Sequence, residues 1–263
     1  MRSFQFWLKV TRPHNYLSAA FGTWVVALLS NGPTWFSVVK VAAPVSMGIG
    51  VLGASLFHFG AANKMYARKK HDCVPTTKPW VLTTLGSLAI ILSVFIAFRY
   101  LPRAAQALVV ADALVILLYA RVLARHWVTK NAVIAFICIT PILLGWLSGH
   151  RLHAGIPLAI AVVFTAIWAR EILKDISDIR ANEGIRVTLP MWIGIRGARI
   201  VAGALLCLSV FGLAVLSKQF FTMPAYVLAP YVLSIGLLVF SIRSLLSERL
   251  EGVEQRSIFQ AIC

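Results

Sequence analysis

The chain has 263 residues, 59% apolar and 13% charged, with a mean hydropathy of +0.82. A soluble domain of this length cannot bury so much apolar surface, so the composition excludes a soluble enzyme and predicts a polytopic membrane protein. The formal charge of +16 comes from 25 Lys and Arg against 9 Asp and Glu. No soluble basic module accompanies it, so membrane lipids are expected partners and nucleic acid is not.

Met1–Thr11 carries Arg2 and Lys9 and lacks a long apolar core, so no cleavable signal is expected. Phe4, Phe6 and Trp7 beside Lys9 and Arg12 predict an interfacial amphipathic helix. Pro13 suits the first turn of the first span. Eight spans follow, over roughly 14–31, 37–61, 79–98, 104–125, 131–149, 155–176, 196–216 and 224–246. Each is near the ~20 residues that cross a ~30 Å hydrocarbon core, and runs this long exclude a β-barrel. The whole chain, 1–263, reads as one integral membrane domain. Cys73, Cys138, Cys207 and Cys263 lack CxxC spacing, so neither a disulfide nor a zinc framework is expected.

Lys40, Arg99, Arg103, Arg151 and Lys218 fall on one side of these spans, and every other Lys and Arg falls on the opposite side. The positive-inside bias therefore predicts cytoplasmic termini and cytoplasmic large loops. A bacterial-type inner (cell) membrane is the simplest location.

The most informative stretch is Arg170–Pro190, which follows an apolar run and holds Glu171, Asp175, Asp178 and Glu183. At helical pitch Glu171, Asp175, Asp178 and Asn182 share one face. Stacked carboxylates repel one another unless a cation sits between them. Mg²⁺ carrying a phosphate is a natural occupant, because it prefers oxygen ligands and shares its shell with substrate phosphates. The other reading is a solvated helix end neutralised by Lys174 and Arg180. Asn63–Asp72, after the second span, forms a basic counterpart with Lys64, Arg68, Lys69 and Lys70. The two stretches suggest an all-α bundle of two four-helix halves around a polar cavity with cytoplasmic cap loops. Asp112 lies inside the fourth span, two turns from Tyr119 on the same face and about 10 Å deeper. An ionisable group there is either a proton acceptor or carbocation stabiliser, or a structural hydrogen-bonding group. His58 reads as a core histidine bonded to a neighbouring helix.

Several segments together resemble the UbiA superfamily of intramembrane prenyltransferases. Leu8–Asn15 is similar to the family's entry segment, and Tyr119–Arg125 running to Asn131 resembles its tyrosine–basic segment. Arg170–Asp178 with Gly184 to Pro190 resembles its second aspartate-rich motif. The resemblance implies a helical bundle of up to nine spans and Mg²⁺ between two acidic motifs. It further implies transfer of a prenyl group from its diphosphate to a lipophilic, typically aromatic, acceptor. By the same resemblance Asp175, Asp178, Asn63 and Asn182 would hold the metal. Asp175, Asp178 and Tyr119 would serve catalysis, with Asp112 added as the ionisable group inside the fourth span. Asn63 and the cations Lys64, Arg68, Lys70, Arg125 and Lys174 are expected to hold the diphosphate, whose departing charge needs neutralising.

The chain departs from the family at informative places. The first motif, NxxxDxxxD, reads Asn63, Ala67 and His71, with Asp72 one residue late. The last acid of the second motif is Asn182, and a common lysine is Ala124, followed by Arg125. Gln255–Cys263 is either the stump of a ninth span or an interfacial tail. These changes suggest one Mg²⁺ ion, with cations in part replacing the other around the diphosphate. A terpene cyclase on the same fold and a non-catalytic lipid-binding or transport protein are the alternatives.

Overall fold

The structure is a computed structural model that describes residues 13–31, 38–61, 78–119, 122–123, 126–149, 155–182 and 187–220, with Trp7 and Thr11. Its elements are α1 (Pro13–Asn31), α2 (Val38–Ala61), α3 (Pro79–Tyr100), α4 (Arg103–Tyr119), α5 (Trp127–Leu147), α6 (Gly155–Ser177), α7 (Ile179–Asn182) and α8 (Leu189–Phe220). α2, α3, α5, α6 and the Leu189–Leu216 part of α8 are long and apolar enough to cross a membrane. The seven long helices coincide with the first seven expected spans. The eighth, 224–246, and the 255–263 segment lie outside the described residues, so the described helices do not reach the expected eight or nine.

Local chemistry sets the helix ends. Pro79 opens α3, where its missing N–H costs nothing. α5 starts at Trp127, four residues before the expected start, because His126 Nδ1 accepts from Val128 N at 3.3 Å. Thr129 Oγ1 ties that turn to the Leu123 carbonyl at 2.6 Å. α4 is described as far as Tyr119, Val122 N donates to the Leu118 carbonyl at 2.9 Å beyond it, and residues 120–121 and 124–125 lie outside the described residues. Between α3 and α4, Gln106 Nε2 donates to the Leu101 carbonyl at 2.8 Å.

The chain separates into two compact units, Met1–His153 and Ala154–Cys263. The first therefore contains five long helices, which corrects the expected partition into two halves of four. The reason lies in α5, which packs on α1. A Cβ added at Gly145 would meet the Thr23 carbonyl at 2.6 Å and Val26 Cβ at 2.8 Å.

In the first unit, α2 and α3 share a seam of small residues. Ser93 Oγ donates to the Ser46 carbonyl at 2.7 Å, and Ser46 Oγ donates to the Ser93 carbonyl at 3.0 Å. Further along, a Cβ at Gly53 would lie 2.9 Å from the Gly86 carbonyl. A Cβ at Gly60 would lie 2.6 Å from the Pro79 carbonyl. Small residues and interhelical hydrogen bonds are what hold helices together where lipid removes the hydrophobic drive for association. Near the start of the chain, Trp7 packs on the Leu56, Phe59 and Leu82 cluster, and Thr11 Oγ1 donates back to the Trp7 carbonyl at 2.7 Å.

In the second unit α6 packs on α8 through Val162, Leu213 and Leu216. Thr165 Oγ1 and Ser209 Oγ share a hydrogen bond of 2.6 Å across that contact. The helical path of α8 breaks at Gly194 (φ 76°, ψ 164°), a conformation that side chains with a Cβ hardly adopt. The helix begins at Leu189, seven residues before the expected start at 196, and its apolar run includes Leu189–Ile195.

Candidate functional site

The acidic stretch closes α6. Asp178 N donates to the Lys174 carbonyl at 3.0 Å and Asn182 N to the Asp178 carbonyl at 2.9 Å. Helical pitch thus carries through into α7, and Glu171, Asp175, Asp178 and Asn182 keep the expected common face. Glu171, Asp175 and Asn182 are buried at 1%, 0% and 0% exposure, Asp178 is half-buried, and Lys174 is exposed. Ile172 and Leu173 are buried too. The reading of a solvated helix end is therefore overturned: protein encloses these carboxylates. Arg170 Nη1 pairs with Glu171 Oε1 at 3.1 Å, a charge-assisted contact that offsets part of the cost of burying the acid. The Arg180 side chain lies outside the described ones.

Thr188 caps the start of α8, accepting from Met191 N at 3.0 Å and Trp192 N at 3.2 Å through its carbonyl. Its hydroxyl is buried and makes no hydrogen bond among the described residues. Sequence reasoning passed over Thr188 and left Glu171 out of the ligand set, although both lie inside the stretch it singled out.

The groups along this face are two buried carboxylates and the Asn182 amide, with the Asp178 carboxylate at the edge. That set suits a hard cation such as Mg²⁺. Among the described residues no three carboxylate, imidazole or thiolate groups converge. The three carboxylates are strung along the helix and not gathered into a closed cage, and Mg²⁺ is commonly held by one or two carboxylates when phosphate oxygens complete its shell.

The first unit holds a second polar group, along the inner stripe of α4. Asp112 is buried at 9% exposure and accepts from Thr140 Oγ1 of α5 at 3.1 Å. Ala111, Leu114, Leu117 and Leu118 are exposed on the outer side of the same helix. Two turns along the stripe from Asp112, the ring of Tyr119 lies 5.2 Å from that of His58, tilted by 54°. His58 thus contacts the tyrosine of the tyrosine–basic segment, a pairing 61 residues apart that sequence spacing does not reveal. Asn131, in the second turn of α5, is fully buried, and both its amide atoms lack a hydrogen bond among the described residues. Lys130 beside it is buried as well. Asn63, Lys64, Arg68, Lys70 and Arg125, expected around the diphosphate, lie outside the described residues.

The fold and these groups define an all-α integral membrane protein with carboxylates enclosed at a helix end. The model of the UbiA prenyltransferase family matches residues 67–261. The chain belongs to the UbiA prenyltransferase family, a family of membrane-embedded enzymes. It is 27% identical over 213 residues to a digeranylgeranylglyceryl phosphate synthase of Methanoregula boonei, covering 78% of this chain and 75% of that protein. A solved structure of a digeranylgeranylglyceryl phosphate synthase has a TM-score of 0.74 at 18% identity, covering 100% of this chain and 93% of that one. A UbiA homologue from Archaeoglobus fulgidus bound to GPP and Mg²⁺ has a TM-score of 0.72 at 14% identity, covering 97% and 93%.

Proposed function

We propose that this chain transfers a prenyl group from a prenyl diphosphate to a lipophilic acceptor within the membrane. One observation carries the reading: Glu171, Asp175 and Asn182 of the second acidic motif are buried along one helix face, with Asp178 half-buried at its edge. Carboxylates buried at the end of a membrane helix must be paired, hydrogen-bonded or hold a cation, and an enclosed acidic face of this kind supports a cation-held ligand there. In this reading Asp175 and Asp178, with Glu171 and Asn182 beside them, hold Mg²⁺ and through it the diphosphate. A metal ion held by these residues would supply neutralisation of the charge on the departing diphosphate. The chain's own part is to hold the diphosphate oxygens with Lys64, Arg68, Lys70, Arg125, Lys174 and Asn63, and to keep water from the allylic carbon with its apolar helices.

The names of the relatives favour a geranylgeranyl donor. They also favour a glyceryl phosphate acceptor, with an aromatic acceptor second. The Lys and Arg distribution supports cytoplasmic termini. The test is product formation by the purified chain from geranylgeranyl diphosphate and geranylgeranylglyceryl phosphate. A new ether lipid formed with Mg²⁺ is the expected product. A cyclised hydrocarbon formed without acceptor would replace this reading with the cyclase, and absence of both products would replace it with a binding protein.

A further inference from the structure

Thr188 precedes α8, but only its carbonyl caps the helix. A threonine at this position ordinarily turns its hydroxyl oxygen to the N–H of the second or third helical residue. Here the second residue is Pro190, which has no N–H, and the third, Met191, donates to the Thr188 carbonyl at 3.0 Å. The hydroxyl is thus released from the helix it precedes. It is nevertheless fully buried, and it makes no hydrogen bond among the described residues. A buried hydroxyl in that state costs free energy that a ligand oxygen would recover. The second unit places it at the acidic end. Thr165 meets Ser209 and Val162 meets Gly212, so α6 and α8 are antiparallel. The start of α8 therefore lies at the end of the unit where α6 closes and α7 follows. Glu171, Asp175, Asp178 and Asn182 climb toward that end from Glu171, the deepest, and Thr188 comes six residues after buried Asn182. Thr188 Oγ1 bonds to none of these side chains, so the acidic face itself does not satisfy it.

We infer that Thr188 is a further binding residue for the diphosphate: its hydroxyl donates a hydrogen bond to the phosphate group farther from the prenyl chain. The inference rests on the reading that Asp175 and Asp178 hold a diphosphate through a metal ion, and it adds a specificity determinant to that site. A hydroxyl has one proton to give, and ionised phosphate oxygens only accept, so the two match without adding charge beside the acids. The apolar helices take the prenyl chain, so the chain points into the membrane and the phosphates point toward the helix ends. Thr188 follows the last member of the acidic face and therefore meets the outer phosphate, not the one attached to the chain. A monophosphate held at Asp175 and Asp178 does not extend to this hydroxyl. Thr188 thereby distinguishes a prenyl diphosphate from the monophosphate of the same chain.

The test uses the full chain in lipid nanodiscs with Mg²⁺. It measures the Kd of geranylgeranyl diphosphate and of geranylgeranyl monophosphate for wild type, Thr188→Val and Thr188→Ser. Thr188→Val nearly keeps the side-chain shape and loses the proton. It is expected to weaken diphosphate binding by about 10- to 100-fold, as loss of one hydrogen bond to a charged group does. Monophosphate binding and the unfolding midpoint should stay at their wild-type values. Thr188→Ser keeps the hydroxyl and should recover most of the diphosphate affinity. An unchanged diphosphate Kd in Thr188→Val, or equal weakening for both ligands, would overturn the inference while leaving the metal-held diphosphate intact. An unfolding midpoint that drops together with both affinities would mark a hydroxyl that serves packing, and would overturn the inference too. A wild-type chain that does not bind geranylgeranyl diphosphate in Mg²⁺ would overturn the diphosphate reading and this inference with it.

Discussion

Gly86→Ala tests how α2 and α3 are held together, and with them the placement of His58. A Cβ at Gly86 would press on the backbone of Phe57 and lie 2.7 Å from the Gly53 carbonyl. An unstrained carbon–oxygen contact needs about 3.4 Å, so the helices must part by at least ~0.7 Å, because backbone atoms cannot swing aside. The Ser93–Ser46 bonds of 2.7 and 3.0 Å then lengthen to about 3.4 and 3.7 Å, at or beyond hydrogen-bonding range. Overpacking costs about 1–3 kcal/mol, and the weakened serine pair adds about 0.6 kcal/mol per bond. Replacing glycine within a helix returns up to ~1 kcal/mol. The net expectation is a loss of about 1–3 kcal/mol. Gly203→Ala is the control, since nothing lies within 4 Å of its added Cβ. It should be neutral or stabilising by up to ~1 kcal/mol. Reversible unfolding in mixed detergent micelles reads both variants. A Gly86→Ala chain as stable as wild type would refute the close-approach argument.

Other expectations follow from the same structure. Asp175→Asn and Asp178→Asn should each lower diphosphate release by roughly 100-fold or more while the chain still inserts and purifies, because each removes a charged oxygen ligand; unchanged turnover in either would remove that residue from the site. Thr188→Val should leave unfolding within about 1 kcal/mol of wild type, since its hydroxyl has no described partner to lose; a loss above ~2 kcal/mol in the same unfolding assay would show a structural hydroxyl. Gly194→Ala should destabilise by about 1–3 kcal/mol through backbone strain alone, there being open space around its Cβ; an unfolding midpoint equal to wild type would contradict that.

Much of this architecture was legible from residue pattern. Apolar runs bounded by Pro13, Pro79 and the basic loops located seven helices, because a span of given thickness needs a fixed length of apolar chain. The periodicity of Glu171, Asp175, Asp178 and Asn182 also placed the acidic face correctly, since helical pitch persists across the end of α6. Other features were not legible for physical reasons. Hydropathy treats lipid and protein interior alike, so nothing in the α2 run distinguishes Gly53, which meets α3, from residues that meet lipid. The bond from Thr140 to Asp112 and the ring contact of His58 with Tyr119 depend on which helices become neighbours. α5 was expected to start too late because Lys130 was assigned to a loop, whereas a cap at His126 carries the helix through a buried lysine. The fifth helix was given to the wrong half because the glycine contact at Gly145 is invisible to composition.

The most direct test of the account is diphosphate release by the purified chain supplied with geranylgeranyl diphosphate and geranylgeranylglyceryl phosphate, in Mg²⁺ and in EDTA. The account predicts release together with an ether-linked product in Mg²⁺, and loss of both in EDTA. Release that persists unchanged in EDTA, or no release from the donor in either condition, would contradict a metal-held diphosphate at Asp175 and Asp178.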